Sequence, residues 1–458
     1  MIKTLRAMWQ DKLLRGIVKN SSYLFSSNSV AIVLSMLQGI FAARLLGVTN
    51  FGILAGVILP VASDIHRLVS FRMSEPVVKY LNQFLAEGRK DRAAATVKGA
   101  MLVEALVTVL AFGVLVLAAP LAARYLAKDP QTSSLFLLYG AFLFAFALYE
   151  TSTGVLQAYN KFNQLALVRL IQSGVTAALI FIAFLSGGGM LQVLLAYLAG
   201  KVLEGLTVAM LALRLVHREL GGDWWKVSLK LMPERRELGR FALSTNLQGT
   251  LNLIFRDSES LLISLLRSPA EAGYFRIALG VINLVTLPID PFIPPPFREL
   301  TRTIAERNFH LTRRILKRVS IIAGTWTLAA GGGMALLGYW LVPLMYGAEY
   351  RPAYPALVLL LVGYGFANIL HWNRPLLLAL GKPAFPIKSA AITGSIKTLL
   401  TFIIVPVYGY LAEAAILSGY FLSSVGLNVW RGRRAIAAGE AQDAAQDAAH
   451  DAAEEAIA

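Results

Sequence analysis

The sequence predicts an all-α polytopic membrane protein of about 12 transmembrane helices, in two six-helix lobes related by a parallel internal repeat. Three observations carry this. Apolar runs of roughly 20 residues, the length that crosses a bilayer, recur along all 458 residues. Hydrophobic residues make up 56% of the chain and charged residues 15%, with a mean hydropathy of +0.60, against about 25% charged in soluble proteins. Landmark residues also return at a constant offset of 221. A lipid-exposed backbone must satisfy its own hydrogen bonds, which helices do, and the runs lack the roughly ten-residue alternation of a membrane barrel.

The expected spans are 24–46, 51–74, 97–119, 133–156, 164–186, 190–213, 241–265, 272–296, 319–344, 354–380, 384–406 and 409–430. Residues 1–22 form a basic amphipathic segment, with Ile2, Leu5, Trp9, Leu13 and Ile17 on one face, suited to the membrane interface. The N-lobe covers 23–216 and the C-lobe 241–431, joined by a cytoplasmic loop at 217–240. An acidic, Ala-rich tail fills 432–458. No cleavable signal peptide is expected at the N-terminus.

Lysine and arginine set the orientation. With both termini inside, the segments on that side hold 30 of the 43 basic residues, and the outer loops hold Arg44, Arg124, Lys128, Arg267 and Arg351. The net charge of +16 therefore reads as positive-inside bias with some attraction to anionic lipid, and no nucleic-acid partner is expected. The expected location is a bacterial or archaeal cytoplasmic membrane.

Several reaction classes are excluded. There is no cysteine, hence no thiol catalysis or thiolate metal site. The five histidines are scattered, and no nucleotide-binding or hydrolase motif is present. No enzyme activity, metal or cofactor is expected beyond coupling to H+ or Na+.

The repeat is carried by few identities at one spacing. Gly52 matches Gly273; Leu156, Ala158 and Lys161 of "LQAYNK" match Leu377, Ala379 and Lys382 of "LLALGK"; Phe181 and Ile182 match Phe402 and Ile403; Gly188 matches Gly409. An even number of spans per repeat gives both halves the same orientation, and sites in such folds lie between the halves near the midplane.

Charges inside a membrane cost about 2.5–3.5 kcal/mol each on insertion scales and normally face a bundle interior or a wet cavity. At about 100° per residue, Thr245, Gln248, Asn252, Arg256 and Glu259 of span 7 fall on one stripe, while Asp257 points toward a neighbouring helix. Span 1 has a fainter counterpart in Ser27, Ser35 and Gln38. Span 2 carries Asp64 and Arg67, span 8 carries Arg276, Asn283 and Asp290, span 10 carries Asn368, His371 and Arg374, and span 11 carries Lys397. Arg256 with Glu259, and Asp64 with Arg67, can equally be self-neutralising i,i+3 pairs. Lys201 is expected to pair with Glu204, and His66 to be a packed or interfacial histidine. Arg276, Arg374 and Lys397 have no carboxylate within four residues, which predicts a hydrated, net cationic cavity.

With these residues in view, "IFAARLLGVTNFGILAGVI" resembles the span 1 to span 2 signature of polysaccharide flippases of the multidrug/oligosaccharidyl-lipid/polysaccharide exporter superfamily. "DSESLLISLLRSPAEAGYFRIAL", "LLALGKP" and "PVYGYLAEAAILSGYFL" resemble its later signatures. The similarity runs from Tyr23 to Arg431. It implies two lobes of twelve or fourteen spans and export of an undecaprenyl-pyrophosphate-linked oligosaccharide by alternating access. Asp257 sits where such proteins often carry an acidic residue; Arg256 beside it departs from the pattern.

Chemistry joins the two lines of argument. Arginine suits a diphosphate through bidentate, permanently charged donors, so Arg67, Arg256, Arg276, Arg374 and Lys397 are the head-group candidates. Gln38, Gln248, Asn252 and Asn283 suit a glycan. Asp64, Asp257, Glu259 and Asp290 are the candidates for ion coupling. The implied partners are membrane lipid, the lipid-linked oligosaccharide and polysaccharide assembly proteins, with the chain itself a monomer. The alternatives are a small-molecule or drug antiporter of the same superfamily, for which an acidic cavity is expected; a glycan polymerase, which needs a larger outer segment than Pro120 to Thr132; and a scaffold, which needs no polar stripes.

Overall fold

Helices account for nearly all of the computed structural model, which describes residues 12–70, 73–232, 250, 253–286, 288–289 and 294–457. No strand occurs among these residues. Eight helical segments among them are long and apolar enough to cross a membrane. Two of these, Val30–Val69 and Ala384–Gln446, are far longer than one crossing needs. Each turns at a glycine in the left-handed region, Gly47 (φ 69°) and Gly409 (φ 69°), where a side chain would be strained. The eight segments carry ten of the expected spans. Span 7 is described from Leu253 onward, and span 8 as Pro269–Thr286. Large apolar side chains such as Leu117, Leu336 and Val407 are exposed, as lipid-facing residues must be.

The chain divides into two compact units, residues 1–276 and 277–458. In the first, α1 (Lys12–Phe51) leads through a buried π-helix, Gly52–Ile58, into α2 (Leu59–Val69). The expected interfacial helix lies partly outside the described residues, and from Lys12 the chain already belongs to the helix of span 1. Then follow α3 (Ser74–Ala86), α4 (Lys90–Leu121), α5 (Ser133–Gly140), α6 (Phe142–Ala145), α7 (Tyr149–Ala158), α8 (Phe162–Leu185) and α9 (Met190–Leu220). Span 4 is thus broken inside the membrane, between α6 and α7. The π-helix Leu253–Asp257 and α10 (Glu259–Leu266) continue span 7, and α11 (Pro269–Thr286) crosses the boundary of the unit. A core of Val77, Tyr80, Leu81 and Phe84 from α3 packs on Val97, Leu156 and Val208.

The second unit holds α12 (Pro294–Ala305), α13 (Phe309–Tyr346), α14 (Ala353–Ile369), α15 (Asn373–Ala379) and α16 (Ala384–Ile457). Leu300, Phe309, Leu316, Trp372, Leu376 and Val429 form its core. The acidic tail continues α16 to Ile457 and is docked rather than loose. Arg307 pairs with Asp443 at 2.8 Å and Arg313 with Glu440 at 2.6 Å.

The repeat is written in the helix ends. After α7, Asn160 (φ 56°) places the Lys161 N–H on the Leu156 carbonyl at 2.7 Å and its own N–H on Gln157 at 2.9 Å. After α15, Gly381 (φ 69°) does the same with Lys382 on Leu377 at 2.8 Å and its own N–H on Leu378 at 3.0 Å. Both are the left-handed stop that satisfies orphan carbonyls, 221 residues apart. Gly88 and Arg307 close α3 and α12 with matching bonds, two positions short of that spacing.

Gly52 and Gly273, themselves repeat equivalents, touch one another within the first unit. A Cβ on Gly52 would run into the Pro269 carbonyl oxygen. A Cβ on Gly273 would lie 3.0 Å from the Val48 oxygen and 3.2 Å from the Gly52 Cα. Positions 48 and 269 are again 221 apart, so the approach is reciprocal.

Candidate functional site

Asp64 and Arg67 of span 2, Asp257 and Glu259 of span 7 and Arg276 of span 8 converge in the first unit. On α2, Asp64 and Arg67 are one turn apart, so their side chains share a face. The Arg67 guanidinium donates to Asp64 at 3.4 Å and to Asp257 at 3.1 Å. Arg67 is 55% exposed at its side chain, Asp257 34% and Asp64 10%. The second Asp64 oxygen, Oδ2, is buried and has no hydrogen-bond partner among the described residues. Arg276, exposed on α11, interacts electrostatically with Tyr197 of α9 and with Asp64, Asp257 and Glu259. Glu259 itself is buried at the start of α10. Two guanidiniums and three carboxylates thus share one neighbourhood.

As expected, Asp257 reaches a neighbouring helix, where it meets Arg67 of α2 and so joins the cluster. Residues Leu253–Asp257 are π-helical, so the angular step of an α-helix does not carry through them. Among the described members of this cluster, three carboxylates, Asp64, Asp257 and Glu259, accompany the two guanidiniums of Arg67 and Arg276. The Arg256 side chain, and Gln248, Asn252 and Asp290, lie outside the described residues.

Gln38 does not line a polar stripe; it is buried and donates to the Ser173 carbonyl at 2.9 Å and its hydroxyl at 3.3 Å, clamping α1 to α8. Lys397 is likewise not exposed to a cavity. Its ammonium pairs with Glu413 at 2.9 Å, with side chains 1% and 0% exposed, and Thr401 donates to the same carboxylate. Arg374 and Asn283 are exposed, Arg374 without an ion pair among the described residues. Lys201 pairs with Glu204 at 3.1 Å as expected, and His66 packs edge-on against Phe142 and Phe146.

A second polar centre was not anticipated. At the break in span 4, the first amides of α7 lie inside the unit, and the residue preceding the helix, Leu148, cannot cap them. Glu104 of α4, buried, accepts the N–H groups of Glu150 at 2.7 Å and Thr151 at 2.9 Å. Ser74 donates to Glu150 at 2.7 Å, and the Tyr149 hydroxyl donates to Glu204 at 2.8 Å. The signal was available: a single glutamate in "MLVEALV" incurs the same intramembrane cost as the arginines.

A family model described as polysaccharide biosynthesis protein matches residues 17–293. The inner membrane protein YghQ of Escherichia coli (strain K12) is 24% identical over 353 residues, covering 75% of this chain and 96% of that protein. Among solved structures, an inward-facing multidrug resistance MATE family transporter of the MOP superfamily superposes with a TM-score of 0.69 at 16% identity. It covers 90% of this chain and 95% of that one. The lipid II flippase MurJ in an inward closed conformation superposes with a TM-score of 0.68 at 16% identity, covering 90% and 87%. These likenesses show the fold.

Proposed function

Because the chain belongs to the polysaccharide biosynthesis protein family, we propose that it flips a polyprenyl-pyrophosphate-linked oligosaccharide or polysaccharide repeat unit from the cytoplasmic to the outer leaflet. It works by alternating access, as a monomer, with both termini cytoplasmic and polysaccharide assembly proteins as partners. The observation that carries this reading is the Arg67–Asp257–Arg276 neighbourhood. A diphosphate competes with carboxylates for the same guanidinium forks. Binding of H+ or Na+ at Asp64, Asp257 or Glu259 neutralises those competitors and releases Arg67 and Arg276 to the substrate. Loss of the ion restores the internal pairs and expels the head group. Arg374, exposed in the second unit, is a further head-group contact, and Asn283 a glycan contact.

The test is export in cells lacking the gene, joined to flipping in proteoliposomes. Arg67→Ala, Arg276→Ala and Arg374→Ala abolish export while the protein still inserts and accumulates, and flipping collapses without an ion gradient. Full export by all three variants removes the head-group role, and undiminished flipping without a gradient removes the coupling.

A second reading, a small-molecule antiporter, is favoured by the three carboxylates facing two guanidiniums. It requires gradient-driven movement of a cation that Asp257→Asn stops.

A further inference from the structure

Away from the charged cluster, the first unit carries a cavity of about 200 Å³ where the turn between α7 and α8 meets the last turns of α9. Its wall holds Lys161, Gln164, Arg214, Arg218 and Glu219, with two leucines of α9. Three cations face one carboxylate. Glu219 is engaged by the Nε of Arg218, its chain neighbour, at 3.4 Å. The Lys161 and Arg214 side chains make no hydrogen bond or ion pair among the described residues, and neither is needed for packing an opposite charge.

The backbone sets these groups in place. The left-handed Asn160 ends α7 and turns Lys161 to the start of α8, whose first amides add positive potential on the same side. A further donor stands close by. The Tyr159 hydroxyl is buried without a hydrogen-bond partner among the described residues. Burial, and then the Glu219 carboxylate beside it, hold that phenol above its ordinary pKa, so it stays protonated.

Location narrows the ligand. The apolar segments Pro130–Ala158, Phe162–Leu185 and Met190–Leu220 all end at this cavity, so it opens where hydrocarbon gives way to head groups. The second unit offers a contrast at the equivalent turn. Lys382 repeats Lys161, but the position of Gln164 is taken by Phe385, whose ring lies 5.8 Å from the Arg431 guanidinium. The first unit keeps a polar residue there.

We propose that the cavity formed by Lys161, Arg214 and Arg218 binds the phosphate of an anionic membrane lipid at the end of spans 4 to 6. Arg214 supplies the planar fork, Lys161 the point charge, and the two leucines the wall for the glycerol carbons. The site is separate from the proposed transport cluster and stands without it.

The experiment uses the purified full-length protein in a neutral detergent. It is titrated with short-chain phosphatidylglycerol, short-chain phosphatidylcholine or inorganic phosphate. Retained lipid is read by native mass spectrometry and the thermal midpoint by unfolding. Phosphatidylglycerol binds and raises the midpoint; the other two do so at least tenfold more weakly. Lys161→Gln and Arg214→Gln each weaken phosphatidylglycerol about tenfold, the size of one lost charge-assisted contact. Lys382→Gln leaves it unchanged, and Arg214→Lys, which keeps the charge and the fold, loses less than Arg214→Gln. Wild-type affinity in both glutamine variants overturns the proposal. Equal binding of phosphatidylcholine marks a non-specific boundary lipid, and equal binding of inorganic phosphate a soluble-anion site; either also overturns it.

Discussion

Arg67 on α2 and Asp257 at the π-helical turn of span 7 are joined by a 3.1 Å ion pair, although 190 positions separate them. Both side chains are partly exposed, so solvent screens the pair. Exposed pairs of this kind contribute roughly 0.2–1 kcal/mol to stability. Asp257→Ala therefore leaves the thermal midpoint nearly unchanged but reduces export severely. Reversing the pair, Arg67→Asp with Asp257→Arg, restores the midpoint of either single reversal without restoring export. A reversed pair that exported normally would show that only the link between helices matters.

Glu104 predicts a different pattern, because it holds backbone rather than charge. Glu104→Ala leaves the buried amide of Thr151 unpaired, at about 1–3 kcal/mol, and the partly buried amide of Glu150 as well. Glu104→Gln keeps one acceptor oxygen and loses less. Unfolding midpoints of the three proteins, in the order wild type, Gln, Ala, test this; equal midpoints for Gln and Ala would refute the capping role.

The Lys397–Glu413 pair is fully enclosed. Removing one partner strands the other charge and costs about 3–5 kcal/mol, whereas replacing both by apolar groups of similar size is often neutral. Lys397→Met alone and Glu413→Leu alone are expected to lower the yield of folded protein in detergent. The double variant recovers it, and a double variant worse than either single one would contradict the assignment.

At the glycine contact, Gly52→Ala drives a methyl into the Pro269 carbonyl, while Gly273→Ala meets Val48 at 3.0 Å. The first substitution should reduce monodisperse protein on size exclusion much more than the second.

The helical segments, the Lys201–Glu204 pair and the repeat were readable because each is written locally or at a constant spacing. What was missed depends on partners distant in sequence. Glu413 lies beyond the turn at Gly409, outside any window around Lys397. Ser173, which holds Gln38, is 135 positions away. Glu104 alone was legible in principle, since one acidic residue in an apolar run already demands a partner.

The reciprocal approach of Gly52 and Gly273 has a consequence for how the sequence can change. Each position is hemmed in by the backbone that flanks the other: Gly52 by Pro269, Gly273 by Val48. In symmetric dimers such a contact binds a residue to its own copy, and here both copies are encoded once each in one gene. Substitutions at the two sites are consequently epistatic. A backbone shift that made room for a side chain at one glycine would already have moved the other, so neither position can drift alone.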